Sequence, residues 1–296
     1  MSAQPVEVES RVDWLTATSL LQHWTDESTP ERVSTYAEKM LHEEEARGNR
    51  IRHQSLFGFH GLASGQAFVG KSAQGYLFRL SGEAAAERWH DVYHLSTNVS
   101  RLDTALTIKR DGDARDFTRI HEQEARDYAR QSSPRMKVTR IDSGTRGRTL
   151  NIGSRSSDAY GRIYDKGAES KRAEYQDCWR YEVEWKRGLA KQAASLLCGC
   201  DGLAVSPGEM SAGWFSTLRV GLPQCRCSSS LPSSPGRPTE VERSLQWFRA
   251  AGRGSGAFLI ERGMIQDLLA ALGLTADVLA SAGYFKQTIM PHVKGD

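Results

Sequence analysis

Two short segments between Gly147 and Lys186, AYGRIYDK and RYEVEWK, carry residue types that could do chemistry on a phosphate. Strand side chains repeat on one face every second residue. Tyr160, Arg162, Tyr164 and Lys166 therefore share a face, opposite Gly161 and Ile163. In the second segment Arg180, Glu182, Glu184 and Lys186 share a face, opposite Tyr181, Val183 and Trp185. If the two strands are neighbours, two phenols, two carboxylates and four cations line one surface. Cations hold a phosphate, carboxylates hold a hard divalent ion, and a phenol can attack phosphorus.

A phenol of pKa about 10 needs help to attack. Nearby positive charge would lower that pKa, and Tyr164 has Arg162 and Lys166 on its own face. Tyr164 is thus the first candidate nucleophile and Tyr160, read as lying at the start of the strand, the second; the plain alternative for either is packing. Asp103, in RLDTALT, joins Glu182 and Glu184 as a candidate ligand set for Mg²⁺ or Mn²⁺. The competing reading pairs the two glutamates with Arg and Lys on the next strand. Ser154 and Arg155, in GSRSSD, read as a tight turn with donors free to clamp a backbone phosphate. The GxxxxGK[ST] spacing is missing, so nucleotide hydrolysis is not supported. Arg162, Lys166 and Lys186 complete the set of expected phosphate contacts. Asp13, inside VDWLTATSL, could reach the same place, although a lone strand Asp is more often a surface residue.

The elements that must position these groups follow from pattern. Val12 to Leu20 reads as a strand, and Glu31 to Arg47 as an amphipathic helix with Val33, Tyr36, Ala37, Met40 and Leu41 at helical spacing. From His53 to Ile108 the pattern is short strands broken by glycine, with a helix near Glu83 to His90. Asp113 to Ser132 reads as a polar helix, Lys137 to Gly147 as a hairpin entry, and Gly188 to Leu197 as a helix. Val69-Gly70 and Arg79-Leu80 match Ile152-Gly153 and Arg162-Ile163 in spacing. Arg101-Leu102-Asp103 and Arg180-Tyr181-Glu182 follow in turn, which suggests a duplicated strand–helix–strand unit. The expected division is 1–198, the catalytic part; 199–238, a linker rich in Gly, Ser, Pro and Cys; and 239–296, a small helical region opened by a Thr239…Glu242 capping box.

Composition sets the bounds. The 296 residues carry 39 Lys and Arg against 36 Asp and Glu, a net charge of only +3. From Arg130 to Arg172, however, eleven Lys/Arg face four Asp/Glu, a local field of the kind a polyanion needs. No apolar run of about 20 residues predicts a membrane span, and the amino-terminal stretch lacks the apolar segment of a signal peptide. The five cysteines, Cys178, Cys198, Cys200, Cys225 and Cys227, point to a reducing cytoplasm rather than a disulfide scaffold. The two CxC pairs could hold zinc, but CxC is a poorer bite than CxxC, and ordinary reduced thiols are the expected state. No His-apolar-His pair occurs, so a metal beside the strand pair would be carboxylate-bound.

IGSRSSDAYGRIYDKG followed by RYEVEWK, with RLDTALT upstream, resembles the rolling-circle replication initiation factor family of plasmids, integrative elements and filamentous phages. The likeness covers roughly Val12 to Leu189. It implies an α+β fold: a curved antiparallel sheet of two pseudo-duplicated strand–helix–strand halves, TATA-binding-protein-like, with the small helical unit appended. It implies nicking and joining of origin DNA, single-stranded or cruciform, through a 5′-phosphotyrosine on Tyr164 or Tyr160, aided by Mg²⁺ or Mn²⁺. The implied setting is a bacterial cytoplasm, with a host helicase and a second copy of the chain as further partners. Two rival readings remain open: a sequence-specific DNA-binding regulator without chemistry, and a metal-dependent nuclease in which water attacks.

Overall fold

The computed structural model describes residues 6–20, 29–109, 114–144, 147–199 and 205–220. Within them the chain runs β1 (Val6–Leu20), α1 (Thr29–Ala46), β2 (Ile51–Leu56), β3 (Phe59–Ser64), β4 (Ala67–Ser72), β5 (Gly75–Ser81), α2 (Gly82–Leu95) and β6 (Asn98–Lys109). It continues with α3 (Ala114–Ser132), β7 (Val138–Asp142), β8 (Arg148–Ile152), β9 (Ala159–Asp165), α4 (Lys166–Ser170), a 3-10 turn at Ala173–Tyr175, β10 (Cys178–Lys186), α5 (Arg187–Leu197) and α6 (Pro207–Thr217). The fold is α+β, built on one ten-stranded sheet in the order β2-β3-β4-β5-β1-β6-β10-β9-β8-β7. Every neighbouring pair is antiparallel.

β1 holds the two halves of the sheet together, because it pairs with β5 along one edge and with β6 along the other. Its register against β6 shifts between Val12 and Trp14, so Asp13 is the extra residue of a bulge. β6 then pairs with β10, which pairs with β9. The expected neighbourhood of the two chemical strands is therefore present, with β6 and its Asp103 on the far side of β10. The halves are not built alike: β1 lies between β5 and β6, whereas β9 lies directly against β10.

One face of the sheet is apolar and covered by helices. α2 packs on β1 and β5, α5 on β6 and β10, and α6 on β1, β6 and β10. Leu15, Phe78, Leu80, Leu102, Tyr181, Val183 and Trp185 are buried there. The alternation read for β10 holds, since Tyr181, Val183 and Trp185 all belong to this core. Three polar groups that enter this core are satisfied there: Trp185 Nε1 donates to Thr104 Oγ1 at 3.0 Å, and Thr104 Oγ1 meets Ser211 Oγ of α6 at 2.8 Å.

α6 corrects the sequence reading, which placed residues 207–217 in a linker. The segment opens with Ser206, whose hydroxyl accepts from the Glu209 amide while the Glu209 carboxylate accepts from the Ser206 amide; Pro207 stands at the first turn. That is a capping box, which satisfies two end donors that a free helix leaves bare. Met210 and Phe215 are fully buried, and Gly161 of β9 exists in the form it does because Trp214 lies against it. The helices expected over 239–296, residues 200–204 and 221–238 of the expected linker, and with them Cys200, Cys225 and Cys227, lie outside the described residues.

Candidate phosphate-handling site on the polar face

The face turned away from α2, α5 and α6 carries the chemistry. Cross-strand register fixes who meets whom, because directly opposed residues of an antiparallel pair share a face. Glu184 stands opposite Asp103 on β6 and opposite Tyr160 on β9. Glu182 stands opposite Arg162, and Arg180 opposite Tyr164.

Tyr164 Oη donates to Glu182 Oε2 at 3.1 Å. The other oxygen of Glu182 accepts from Arg162, whose guanidinium also lies 3.9 Å from Asp103. Asp103 is held by Arg101 through two bonds of 2.9 and 2.6 Å. Arg101 also approaches Glu184 at 3.5 Å, and Lys186 Nζ pairs with Glu184 at 2.8 Å. Asp103, Glu182 and Glu184 are thus all buried, and each of two guanidinium groups bridges two of them. The ion-pair alternative for the glutamates is what the structure contains. Burial, reinforced by the charges of Glu182 and Glu184, outweighs the pairing to Arg101 and pushes Asp103 up to about 8. A buried triad of acids in mutual repulsion invites a cation, and its hard oxygens suit Mg²⁺ or Mn²⁺. Arg101 and Arg162 fill that role here, so a metal fits once a guanidinium turns aside. Arg162 Nε is buried without a hydrogen-bond partner, so that head is not locked from every side.

The phenols separate. Tyr164 lies next to the end of β9 rather than in mid-strand, but its hydroxyl reaches the carboxylates. Burial, then the Glu182 charge, raises its pKa well above the ordinary value. The flanking cations were expected to lower it; Lys166 Nζ stands 5.9 Å from the ring centroid and pairs with Glu169 instead. Tyr160 is 3% exposed, and its hydroxyl makes no hydrogen bond to the carboxylates among the described residues. Ser154 bonds within its own turn to Ser156, and Arg155 is exposed, its carbonyl accepting from Lys186 Nζ.

A second charged group, only partly foreseen, stands behind Tyr164. Arg180 has no exposed side-chain surface; it donates to Thr107 Oγ1 at 2.9 Å, to Asp13 at 3.3 Å and to Glu9. Arg11 closes the group through Asp13 at 2.7 Å and Glu9 at 2.9 Å. Burial works to raise the Asp13 carboxyl, but Arg180 and Arg11 together hold it below its ordinary value. Asp13 is a candidate from its place in a strand, whereas nothing in the sequence singles out Glu9 and Arg11. The bulge that turns Asp13 toward β10 leaves no trace in composition.

The polar face also carries a row that crosses seven strands. Arg52, Ala63, Phe68, Arg79, Thr16, Arg101 and Lys186 oppose one another in sequence from β2 to β10. At about 4.8 Å per strand the row spans roughly 29 Å. Arg101 lies 4.4 Å over the Trp14 ring, and Arg79 flanks Trp14 and Phe68 at 5.9 and 5.8 Å. Neither Arg52 nor Arg79 has an acidic partner among the described residues, and no Asp or Glu occurs between Arg50 and Gly82.

Residues 97–216, from the entry of β6 to the last turn of α6, match the family described as Replication initiation factor. The structure is similar to that of the Rolling Circle Replication Initiator Protein from Geobacillus stearothermophilus, with a TM-score of 0.51 and 18% sequence identity, over 79% of this chain and 91% of that one. That likeness shows a shared fold. No curated protein matches the sequence. The matched segment, 97–216, includes Asp103, Tyr160, Tyr164, Glu182 and Glu184.

Proposed function

We propose that this chain is an origin-nicking enzyme that starts rolling-circle replication by tyrosine transesterification, the activity that a replication initiation factor region of this build would serve. The observation that carries the reading is the Tyr164 hydroxyl donating to Glu182 at 3.1 Å beside Arg162. Glu182 takes the phenol proton as the Tyr164 oxygen bonds to phosphorus; the bond to the 3′ oxygen breaks, and that oxygen leaves with a proton from solvent. The phosphate ester remains on the protein, so its energy is kept for rejoining. Because burial and Glu182 keep the phenol neutral, proton removal must accompany attack rather than precede it. Arg162, Arg155, Lys166 and Lys186 neutralise the phosphate. Asp103, Glu182 and Glu184 would hold Mg²⁺ or Mn²⁺, which would supply Lewis-acid neutralisation of a phosphoryl oxygen. Tyr160, opposite Glu184, is the reserve nucleophile.

The same reading takes the sheet as two strand–helix–strand halves meeting at β6 and β10, and a bacterial cytoplasm as the setting. Origin DNA is the substrate, with a host helicase and a second copy of the chain as further partners. Nicking of supercoiled origin DNA tests it. Tyr164→Phe should abolish both the nick and the covalent 5′ adduct, at least a thousandfold in rate, while Tyr160→Phe retains both. An adduct that survives Tyr164→Phe refutes the nucleophile. A second reading, a DNA-binding regulator without chemistry, is favoured by the carboxylates being already paired with arginines; it predicts binding with no nick from the unaltered protein.

A further inference from the structure

On the helix-covered side of the sheet, remote in chemistry from the carboxylates, three metal-ligating side chains converge. His90 and His94 are four residues apart on α2, which puts both imidazoles on one face of the helix. Their Nε2 atoms face each other at 3.2 Å. Cys198, the residue that caps the end of α5, brings its sulfur to the same place, so that the three ligand atoms lie within 4.8 Å of one another. Both histidines are exposed, Cys198 is half-buried, and it is in no disulfide.

We propose that His90, His94 and Cys198 form a zinc site. The donor set decides the metal: two imidazole nitrogens and a thiolate are borderline to soft ligands, which favour Zn²⁺ and reject Mg²⁺, Ca²⁺ and Mn²⁺. Geometry agrees. Two nitrogens on a tetrahedral zinc, each about 2.0–2.1 Å from it, stand about 3.3 Å apart, close to the separation present. Two solvent-exposed imidazoles gain little from turning their nitrogens toward each other rather than toward water, whereas a shared cation rewards that arrangement. Binding releases the Cys198 proton: the S–H bond is exchanged for a Zn–S bond, and water takes the fourth position.

The site would join α2, which covers β1 and β5, to α5, which covers β6 and β10. It clips together the two helices that back the strands carrying Asp13, Asp103 and Glu182. The bridge between the two helices is independent of whether the polar face nicks DNA.

The test uses the full chain, loaded with Zn²⁺, dialysed and assayed for bound metal. Unaltered protein should hold one equivalent more than a His90→Ala, His94→Ala double variant or a Cys198→Ser variant, and zinc should raise its melting temperature by several degrees. The histidines are exposed, so their loss leaves the fold intact. With Co²⁺ in place of Zn²⁺, a thiolate-to-cobalt charge-transfer band should appear in the unaltered chain and vanish in Cys198→Ser. Equal metal content in all three proteins would overturn the proposal, and so would a thiolate band that survives Cys198→Ser, which would mean that other cysteines bind the metal.

Discussion

Tyr164 and Arg180 oppose each other across β9 and β10, and the contrast between them shows how this face is balanced. The phenol is held neutral by burial and by Glu182, while the guanidinium is held charged by Glu9 and Asp13. Removing one member of a buried ion pair costs more than the pair contributes, because it strands the remaining charge. Glu9 and Asp13 keep Arg11 and some contact with water, which moderates that cost. Arg180→Met should therefore destabilise by about 3 kcal/mol, read by urea unfolding; a loss under about 1 kcal/mol would show the group to be solvent-screened. Asp13 supplies a pH signature. Its pKa is depressed in the folded chain, so its contribution is fully present above the ordinary value of 3.8 and is lost as pH falls through the lower folded value. Asp13→Asn should be less stable than the unaltered chain by a constant margin above about pH 5, and the gap should close below about pH 4. A gap that widens on acidification would reverse the assigned sign.

At the scale of elements, α6 is the piece that makes β6, β9 and β10 a packed unit. A Cβ on Gly161 would come 2.2 Å from the Trp214 ring and 3.1 Å from Phe215, inside a layer tied by Thr104 and Ser211. Such crowding is met by displacement of the helix, at about 1–3 kcal/mol. Gly161→Ala should lower the unfolding free energy by that amount, and Trp214→Leu in the same chain should restore part of it by vacating the space. Absence of any rescue would place the strain elsewhere. α6 was hidden in sequence by the Gly, Ser and Pro around it, although its signal was present: Ser206-Pro207-Gly208-Glu209 has the spacing of a capping box with proline at the first turn. Local composition outweighed a four-residue pattern, and the apolar Met210, Trp214 and Phe215 that drive docking are too few to announce a helix by periodicity.

For the whole molecule, charge is arranged by strand order rather than by total. A net +3 hides an acid-free run from Arg50 to Gly82 and a cationic row that leads across the sheet to the carboxylates. If a DNA strand lies along that row, each phosphate contact adds about 0.7 to the slope of log affinity against log salt for a single strand. Arg52→Ala and Arg79→Ala should each lower the slope by roughly that much and weaken binding several-fold at moderate salt, by fluorescence anisotropy with single-stranded oligonucleotides. Unchanged slopes would remove the row from the binding surface. Among the described residues no helix is long and apolar enough to cross a membrane.

The period of two in AYGRIYDK and RYEVEWK was enough to place Tyr160, Arg162, Tyr164, Arg180, Glu182 and Glu184 on a common face and Tyr181, Val183 and Trp185 in the core, since strand geometry admits no other sorting. The amphipathic pattern of α1 and the glycine-broken strands after it were legible for the same local reason. Which strand lies beside which was not local. That β10 stands between β6 and β9, that Glu182 therefore meets both Tyr164 and Arg162, and that a bulge in β1 turns Asp13 onto Arg180 all depend on pairings between residues far apart in the chain. Only burial of the shared apolar face against α2, α5 and α6 selects those pairings, and that selection also brings His90, His94 and Cys198 from separate helices to one point.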